Sequence, residues 1–454
     1  MTLVNPSLFR AMEHAMLTRQ AAGVPIRDIS KAMPDICPDL FSNDYLSLAT
    51  DPDLRRNFLD RLEKAPHVLG TGGTRLLCGS PEWLIALEDR MAQYWSAPAA
   101  LLCNSGYDGN VMFFRTVPQK TDAIIFDELV HASILDGIKA SRAAHALYPF
   151  AHNSLSSLRE RILHVLDAHP NIASGNGTLF LSLLSAYSMD GDFALLPEIV
   201  TMVEELVPAG AFHIVVDEAH TTGLYGSQGK GFVSLLGLET RIHTVLHTFG
   251  KACGFNGAPL IKMYIGNYGR FLIYSNSLPH CNIEAIHTIL DYISSPVGDK
   301  LRQQVFENAR YFESSLRAAL AREDQTLLTF PARMTTCPGF PSDLVSPIFP
   351  VLTSSPIPLA KYLQSLGYDA QPIPYPAVPR GKERIRIIAH AGNTKKDFDN
   401  LIDRLIDWVR EFKPDDEPSL PLVTAEVGKL SVADVAMEER AVQHGIEKML
   451  TDVT

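Results

Sequence analysis

The sequence has few cysteines, and they lack the spacing that metal sites require. Its six cysteines are scattered over 454 residues, with no Cys-x-x-Cys pair and no His/Cys group at metal-ligand spacing. Scattered free thiols are typical of a reducing compartment. We therefore predict a cytoplasmic protein with no bound metal.

Positive charge and long apolar runs are also scarce. The formal net charge is −11, which argues against nucleic-acid binding because that function needs a basic face. A small anionic ligand in a local positive pocket is not excluded. No window approaches 18 uninterrupted apolar residues, so no membrane span is predicted. The N-terminus lacks the basic and apolar regions of a secretory signal.

Short apolar runs that end in polar residues recur along the first part of the chain. They lie at residues 98–106, 122–131, 178–188, 212–220 and 243–251. Their alternation with helical patterns predicts the buried strands of a parallel α/β sheet. Ligands of such sheets bind at the carboxyl ends of the strands, so the polar residues there are candidates for a site.

The sheet pattern fades after about residue 295. A long helical pattern follows, and then two strand-like pieces at 344–352 and 384–391 and a helix at 396–412. We predict four parts: an N-terminal helix and arm (1–50), a large domain (51–295), a small α+β domain (296–412) and an acidic extension (413–454).

An aspartate and a lysine end two successive predicted strands. Asp217 directly follows an apolar run, with His220 nearby as a hydrogen-bond donor. Lys251 lies 34 residues later, among the small residues of HTFGKACG. Taken singly, Asp217 could cap a helix and Lys251 could be a solvated loop residue. Together they are the pair that pyridoxal phosphate needs: a lysine for the Schiff base and a carboxylate for the pyridine nitrogen.

Two further sites follow predicted strands. His131 could stack on an aromatic cofactor or be an ordinary loop histidine. Ser105, Gly106 and Tyr107 open a predicted helix, whose free N–H groups suit a phosphate. The Gly-rich segment 70–80 matches neither the P-loop nor the GxGxxG spacing, so no nucleotide motif is present.

Nine stretches between residues 41 and 412 match, in order, the motifs of one enzyme family. They include FSNDYLSL (41–48), DELVHASILDGIKAS (127–141), SMDGD (188–192), DEAHTTGLYGSQGKG (217–231) and HTFGKACGFNGA (247–258). The chain resembles the α-oxoamine synthases, and the last stretch is most similar to 8-amino-7-oxononanoate synthases. The resemblance implies an aspartate-aminotransferase-like (fold type I) α/β large domain with a mostly parallel sheet and a smaller C-terminal α+β domain.

The resemblance also implies the cofactor, pyridoxal 5'-phosphate, and the residues around its ring. Lys251 would bond to the cofactor and then remove the α-proton of the amino acid. Asp217 would pair with the pyridine nitrogen and His220 with the phenolic oxygen. His131 would stack on the ring.

Other implied residues hold the cofactor phosphate and the substrate. The phosphate contacts would be Ser105, Gly106, Tyr107, Thr248 and, from a motif of the neighbouring subunit, Asn276. Ser188 would lie near cofactor and substrate. Arg386 would bind the carboxylate of the amino acid, helped by Asn43.

The implied reaction is a decarboxylative condensation of alanine, glycine or serine with an acyl-CoA, or a carrier-bound thioester, to an α-aminoketone. A homodimer with the site at its interface is implied as well. Two alternatives are a pyridoxal phosphate-dependent aminotransferase and a non-catalytic partner subunit of the same fold.

The sequence departs from the family pattern at four positions. Leu84 and Leu184 replace a usual His and Glu, Asn276 replaces a Thr expected near the phosphate, and Pro374 replaces an Arg. These departures bear on the choice of substrates, which the sequence leaves open.

Overall fold

The computed structural model describes residues 6–21, 38–70, 72–249, 252–323, 326–333, 336–375 and 377–412. The predicted cofactor lysine, Lys251, and the predicted extension 413–454 lie outside the described residues.

A seven-stranded sheet forms the centre of the large domain, with strand order β1-β7-β6-β5-β4-β2-β3. The strands are β1 (Ala99–Cys103), β2 (Ala123–Asp127), β3 (Leu147–Phe150), β4 (Leu179–Leu184), β5 (Phe212–Asp217), β6 (Thr244–Phe249) and β7 (Ala252–Gly257). β7 runs antiparallel to β1 and β6, and the other neighbours are parallel. The predicted mostly parallel α/β sheet is confirmed, although the apolar runs did not reveal β3 or β7.

Helices connect and flank these strands. They are α1 (Pro6–Ala21), α2 (Pro52–Lys64), α3 (Arg75–Cys78), α4 (Glu82–Tyr94), α5 (Gly106–Thr116), α6 (Ala132–Lys139), α7 (Leu155–Ala168), α8 (Pro170–Ala173), α9 (Leu196–Leu206), α10 (Phe232–Leu235), α11 (Pro259–Tyr268), α12 (Arg270–Ile273) and α13 (His280–Ile293). Every residue of β2 and β4 is buried, which explains their continuous apolar sequence. Among the described helices, none has the length and apolarity needed to cross a bilayer.

A second, antiparallel sheet follows in the order β8-β10-β9. Its elements are α14 (Pro296–Leu320), β8 (Ile348–Leu352), α15 (Pro356–Ser365), β9 (Pro372–Ile373), β10 (Arg384–Ile388) and α16 (Lys395–Glu411). This part has its own apolar core, which includes Phe312, Phe349 and Phe398. The predicted domain limit at 295/296 stays a prediction, and it falls between the end of α13 and the start of α14.

The arm that precedes α2 joins the two cores. Leu40 is buried in the core of the small domain, whereas Tyr45 and Leu46 are buried in the core of the large one. The arm is hydrogen-bonded to the end of β10 and the residues after it, because Ile388 N donates to Leu40 O (2.7 Å) and Ala391 N donates to Tyr45 O (2.8 Å). The arm therefore connects the small domain to the core of the large domain.

A buried carboxylate anchors the Gly-rich segment 70–80. Glu88 on α4 is fully buried. Its two oxygens accept from both terminal nitrogens of Arg75, at 2.7 and 3.0 Å. Glu88 also pairs with Lys262 of α11 (2.8 Å) and accepts from Leu102 N of β1 (2.8 Å). One side chain thus connects the segment with the sheet and with a neighbouring helix.

Replacing this carboxylate is expected to destabilise the protein. Glu88→Gln leaves two cations without their partner, and breaking a buried pair in this way costs about 3 kcal/mol. Chemical unfolding followed by circular dichroism measures the change. Glu82→Gln is the matched control because Glu82 is an exposed residue in the first turn of the same helix. Equal stability of the two variants would contradict this role of Glu88.

Candidate active site

A chain of hydrogen bonds joins Asp217, which ends β5, to His131, which caps α6. The amide nitrogen of Asn110 donates to Asp217 Oδ2 (2.7 Å) and to Ser133 Oγ (3.0 Å). Ser133 Oγ lies 2.7 Å from His131 Nδ1, and Ser133 N also donates to that nitrogen. The exposed imidazole of His131 is therefore oriented at the carboxyl end of β2 relative to the carboxylate of β5.

Asp217 is a buried carboxylate, with 7% of its surface exposed. Besides the bond from Asn110, it accepts a bond from Ala219 N (2.9 Å). Burial raises the pKa of Asp217, and the two donors oppose that shift. In the described part of the chain no lysine or arginine pairs with it. A buried carboxylate in this state favours a cationic ligand group.

His220 lies against the arm through Tyr45. The hydroxyl of Tyr45 is 2.7 Å from His220 Nδ1, and the two rings meet edge to face. Burial, with Arg386 and His131 nearby, lowers the pKa of His220 to about 3. Burial also raises the pKa of Tyr45, so the phenol keeps its proton and shares a hydrogen bond with Nδ1. A neutral imidazole carries one N–H, so in the tautomer protonated at Nε2 the Tyr45 hydroxyl donates to Nδ1 and Nε2 is a hydrogen-bond donor.

Arg386 reaches the same region from β10. Its guanidinium donates to Ser188 O (3.2 Å) and to Asn43 Oδ1 (3.1 Å), both of them neutral oxygens. Burial lowers the pKa of Arg386 from its ordinary value. No carboxylate of the described residues pairs with this guanidinium. A partly buried arginine without a counter-ion is suited to bind a carboxylate from outside the chain.

The start of α5 lies against the end of β6. Ser105 caps the helix, because its hydroxyl accepts from Asp108 N (3.0 Å). Gly106 is so close to Thr248 that a Cβ on it would lie 2.8 Å from Thr248 Oγ1. The first turn of a helix has N–H groups without partners in the helix, and together with a nearby hydroxyl they suit an anion. Tyr107 is largely exposed, and its hydroxyl bonds to Asp136.

Asn276 lines a cavity together with Asn104 and Asp108, beside the start of α5. It is exposed and forms an isolated bridge with Thr74, beside the Gly-rich segment. The side chain of Ser188 is partly buried, and its carbonyl accepts from Arg386. Lys251 follows β6 in the sequence and lies outside the described residues.

Three of the family departures lie in ordinary structural positions. Leu84 is buried on α4, and Pro374 follows β9. Leu184 ends β4, is buried and lies in register with Asp217. At this point beside Asp217, an apolar side chain therefore takes the place of the usual carboxylate.

Sequence reasoning missed Tyr45, although it lies in the FSNDYLSL motif, and Asn110, which lies on α5. It also missed Arg384, a buried residue of β10 that donates to Met189 O (2.7 Å) and Asp190 Oδ1 (2.6 Å). No local pattern marks such residues, since their contacts join segments far apart in sequence. Among the described residues, no cluster of three or more His, Cys, Asp or Glu side chains could hold a metal.

Sequence comparison identifies the family. Residues 36–405 match the family of class I and II aminotransferases. The chain is 37% identical to the 8-amino-7-oxononanoate synthase of Emericella nidulans, over 84% of this chain and 91% of that one. It is 32% identical to the aminoacyl transferase sphA of Aspergillus fumigatus, over 90% of this chain and 88% of that one.

Solved structures show the same fold. One is a serine palmitoyltransferase variant from S. paucimobilis with a bound PLP–myriocin aldimine (TM-score 0.72, 22% identity, 89% of this chain and 98% of that one). Another is the 8-amino-7-oxononanoate synthase of Francisella tularensis (TM-score 0.62, 22% identity, 83% and 99%). At this identity they support the fold alone, and they confirm the fold type I prediction.

These matches confirm three predictions: the resemblance to the α-oxoamine synthases, the enzymatic nature of the chain as a transferase, and pyridoxal phosphate as its cofactor. The chain belongs to the class I and II aminotransferase family, among its α-oxoamine synthases.

Proposed function

We propose that the protein condenses a small amino acid (alanine, glycine or serine) with an acyl-CoA or another acyl thioester, releasing CO₂ and a thiol and forming an α-aminoketone. The observation that carries this proposal is the set of contacts that Arg386 makes. Among the described residues, its guanidinium hydrogen-bonds to neutral oxygens alone, and it lies near Tyr45 and His220. It is therefore placed to bind the carboxylate of an amino acid beside the cofactor site, as an amino-acid substrate requires.

The described residues fit pyridoxal phosphate. The buried carboxylate of Asp217 suits a protonated pyridine nitrogen, and neutral His220 can donate to a phenolic oxygen. The first turn of α5, with Ser105, Gly106 and Tyr107, and the hydroxyl of Thr248 suit the phosphate. When bound, this cofactor withdraws electrons from the α-carbon of an attached amino acid.

Each residue has a distinct task in this proposal. Asp217 stabilises the positive charge of the ring nitrogen, and Asn110 and Ala219 hold its carboxylate in place. His131 would stack on the cofactor ring. Lys251, by its position in the HTFGK motif, would hold the cofactor covalently and take the α-proton of the amino acid.

The amino-acid substrate would bind where the two domains meet. Arg386 forms a two-pronged contact with the amino-acid carboxylate, and Asn43 and the Ser188 carbonyl orient the guanidinium. Leu184 makes the wall beside Asp217 apolar. A cytoplasmic location and the absence of a nucleic-acid partner remain predictions.

A homodimer is part of the proposal. Leu69, Leu77 and Tyr274 expose 77%, 83% and 70% of their surface. They lie on two segments joined by backbone bonds, such as Ser277 N to Gly73 O (3.4 Å). Large exposed apolar surfaces of this kind mark interfaces. Asn276 lies on the same surface, where it would face the phosphate site of a second copy.

Loss of Lys251 is expected to remove the covalent cofactor bond. Purified wild-type protein should show a visible absorbance band that borohydride abolishes, and Lys251→Ala should lack that band and the activity. Lys361→Ala, at an exposed position of α15, is the control and should behave like the wild type. A borohydride-sensitive band in Lys251→Ala would show that another lysine holds the cofactor.

Arg386→Lys is expected to raise KM for the amino acid about 10- to 100-fold, because a lysine cannot make the two-pronged contact with a carboxylate. The cofactor absorbance band should not change. Activity is measured as free thiol released from an acyl-CoA with alanine, glycine or serine. Arg404→Lys, on the exposed side of α16, is the control. An unchanged KM would place the carboxylate elsewhere.

Amino transfer to a 2-oxo acid, with no thiol release from any thioester, would overturn the proposed reaction in favour of the aminotransferase alternative. A protein that never binds the cofactor would favour the non-catalytic subunit.

Leu77→Asp is expected to convert the dimer to monomers and to lower activity at least tenfold, since it places a charge in the proposed apolar interface. Sedimentation velocity measures the oligomeric state. Leu366→Asp is the control, because Leu366 is exposed in the small domain. A Leu77→Asp protein that remains dimeric and active would contradict the proposed interface.

A further inference from the structure

His152 forms a charged cluster that the proposed reaction does not use. It lies just after β3, and its Nδ1 is 3.0 and 3.1 Å from the two carboxylate oxygens of Asp127. Its Nε2 is 3.0 Å from Asp192 Oδ2. Both ring nitrogens face carboxylates, so both carry protons and the ring is an imidazolium.

The surroundings stabilise this charge. Burial opposes it, but the hydrogen bonds to Asp127 and Asp192 raise the pKa of His152 to about 10. Asp127 is fully buried and Asp192 nearly so. The imidazole and the ring of Tyr187 meet edge to face, with centroids 4.4 Å apart. In this cluster the His152 imidazolium is therefore a cation that is paired with two buried carboxylates.

Each carboxylate belongs to a turn that carries a residue of the candidate site. Asp127 ends β2 and holds the next turn, since Leu129 N donates to its Oδ1 (2.9 Å), and that turn leads to His131. Asp192 closes the turn 187–192, in which Tyr187 N donates to Asp192 O (3.0 Å). His152 therefore links the turn before His131 to the turn that contains Ser188.

The small domain also contacts the 187–192 turn. Arg384 donates to Met189 O (2.7 Å) and Asp190 Oδ1 (2.6 Å). Arg386 donates to the Ser188 carbonyl (3.2 Å). Gly191 has φ +69°, and a Cβ there would lie 2.4 Å from the carbonyl oxygen of Ile348 in β8. The turn is thus packed tightly between the large domain and the second sheet.

We propose that His152 is a positioning residue for the amino-acid site. Held between Asp127 and Asp192, its imidazolium fixes the 187–192 turn, and the Ser188 carbonyl of that turn fixes the Arg386 guanidinium. The claim that His152 affects amino-acid binding rests on the proposed function of Arg386. The claim that His152 fixes the turn rests on the observed contacts alone.

The test compares His152→Gln with the wild type. A glutamine amide is neutral, so it leaves two buried carboxylates without a cation between them. We expect KM for the amino acid to rise about tenfold, with a smaller change in kcat and an unchanged cofactor band. His169→Gln is the matched control, because His169 bonds to the hydroxyl of Tyr148 and to no carboxylate of the described residues.

A conservative second variant separates positioning from folding. His152→Gln combined with Asp192→Asn removes one of the uncompensated charges and restores an amide pair, so KM should return toward the wild-type value. If His152→Gln does not fold, Asp192→Asn alone should raise KM by a smaller factor. An unchanged KM in the folded variants, with only a lower melting temperature, would overturn the proposal.

Binding of alanine without an acyl donor gives an independent measure. The shift of the cofactor absorbance reports Kd, which should rise about tenfold in His152→Gln. If the wild type releases no thiol from any thioester but this Kd still rises, the proposed reaction fails and the positioning role stands. If the wild type turns over and Kd does not change, the positioning role fails.

Discussion

The site depends on the burial of one carboxylate, that of Asp217, at the carboxyl end of β5. Water does not compensate a charge at this depth. Protein donors must therefore hydrogen-bond to the carboxylate oxygens, and a cation must balance the negative charge. Asn110 and Ala219 N supply the donors, and Asn110 extends the network through Ser133 to His131. The cation that we propose is the ring nitrogen of pyridoxal phosphate. The orientations of the Asp217 carboxylate and of the His131 ring thus depend on one hydrogen-bond network.

The rest of the site is assembled where two apolar cores meet. The large sheet supplies Asp217, His220 and the start of α5, whereas the small sheet supplies Arg386. The arm that contains Asn43 and Tyr45 crosses between them and contacts one residue from each side. If Arg386 of the second domain binds the amino acid, as we propose, the amino-acid site is sensitive to how the two domains are held together.

Sequence reasoning predicted the parts that follow from local pattern. Apolar runs predicted five of the seven strands of the large sheet. The rule that ligands bind at the carboxyl ends of parallel strands then led to Asp217 and His131. β3 and β7 were missed: the pattern LYPF is short and aromatic, and the Gly-containing ACGFNG does not look like a strand. Motif resemblance selected Arg386 and Asn43, which do contact each other.

The supporting residues could not be predicted in this way. Asn110 matters because it lies between β5 and α6, and Tyr45 because the arm folds over His220. His152 follows a strand and could have been found by the same carboxyl-end rule, had β3 been recognised. Its two carboxylate partners, 25 residues before it and 40 residues after it, are brought together only by the packed fold.

The most direct test of the central claim is the stoichiometry of the reaction. Purified protein would be incubated with an acyl-CoA and carboxyl-labelled alanine, glycine or serine, and released CO₂ and free thiol would be counted. The account predicts that both appear in equal amounts with at least one of these amino acids, and that neither appears without it. Thiol release without CO₂, or amine transfer to a 2-oxo acid in the absence of any thioester, would contradict it.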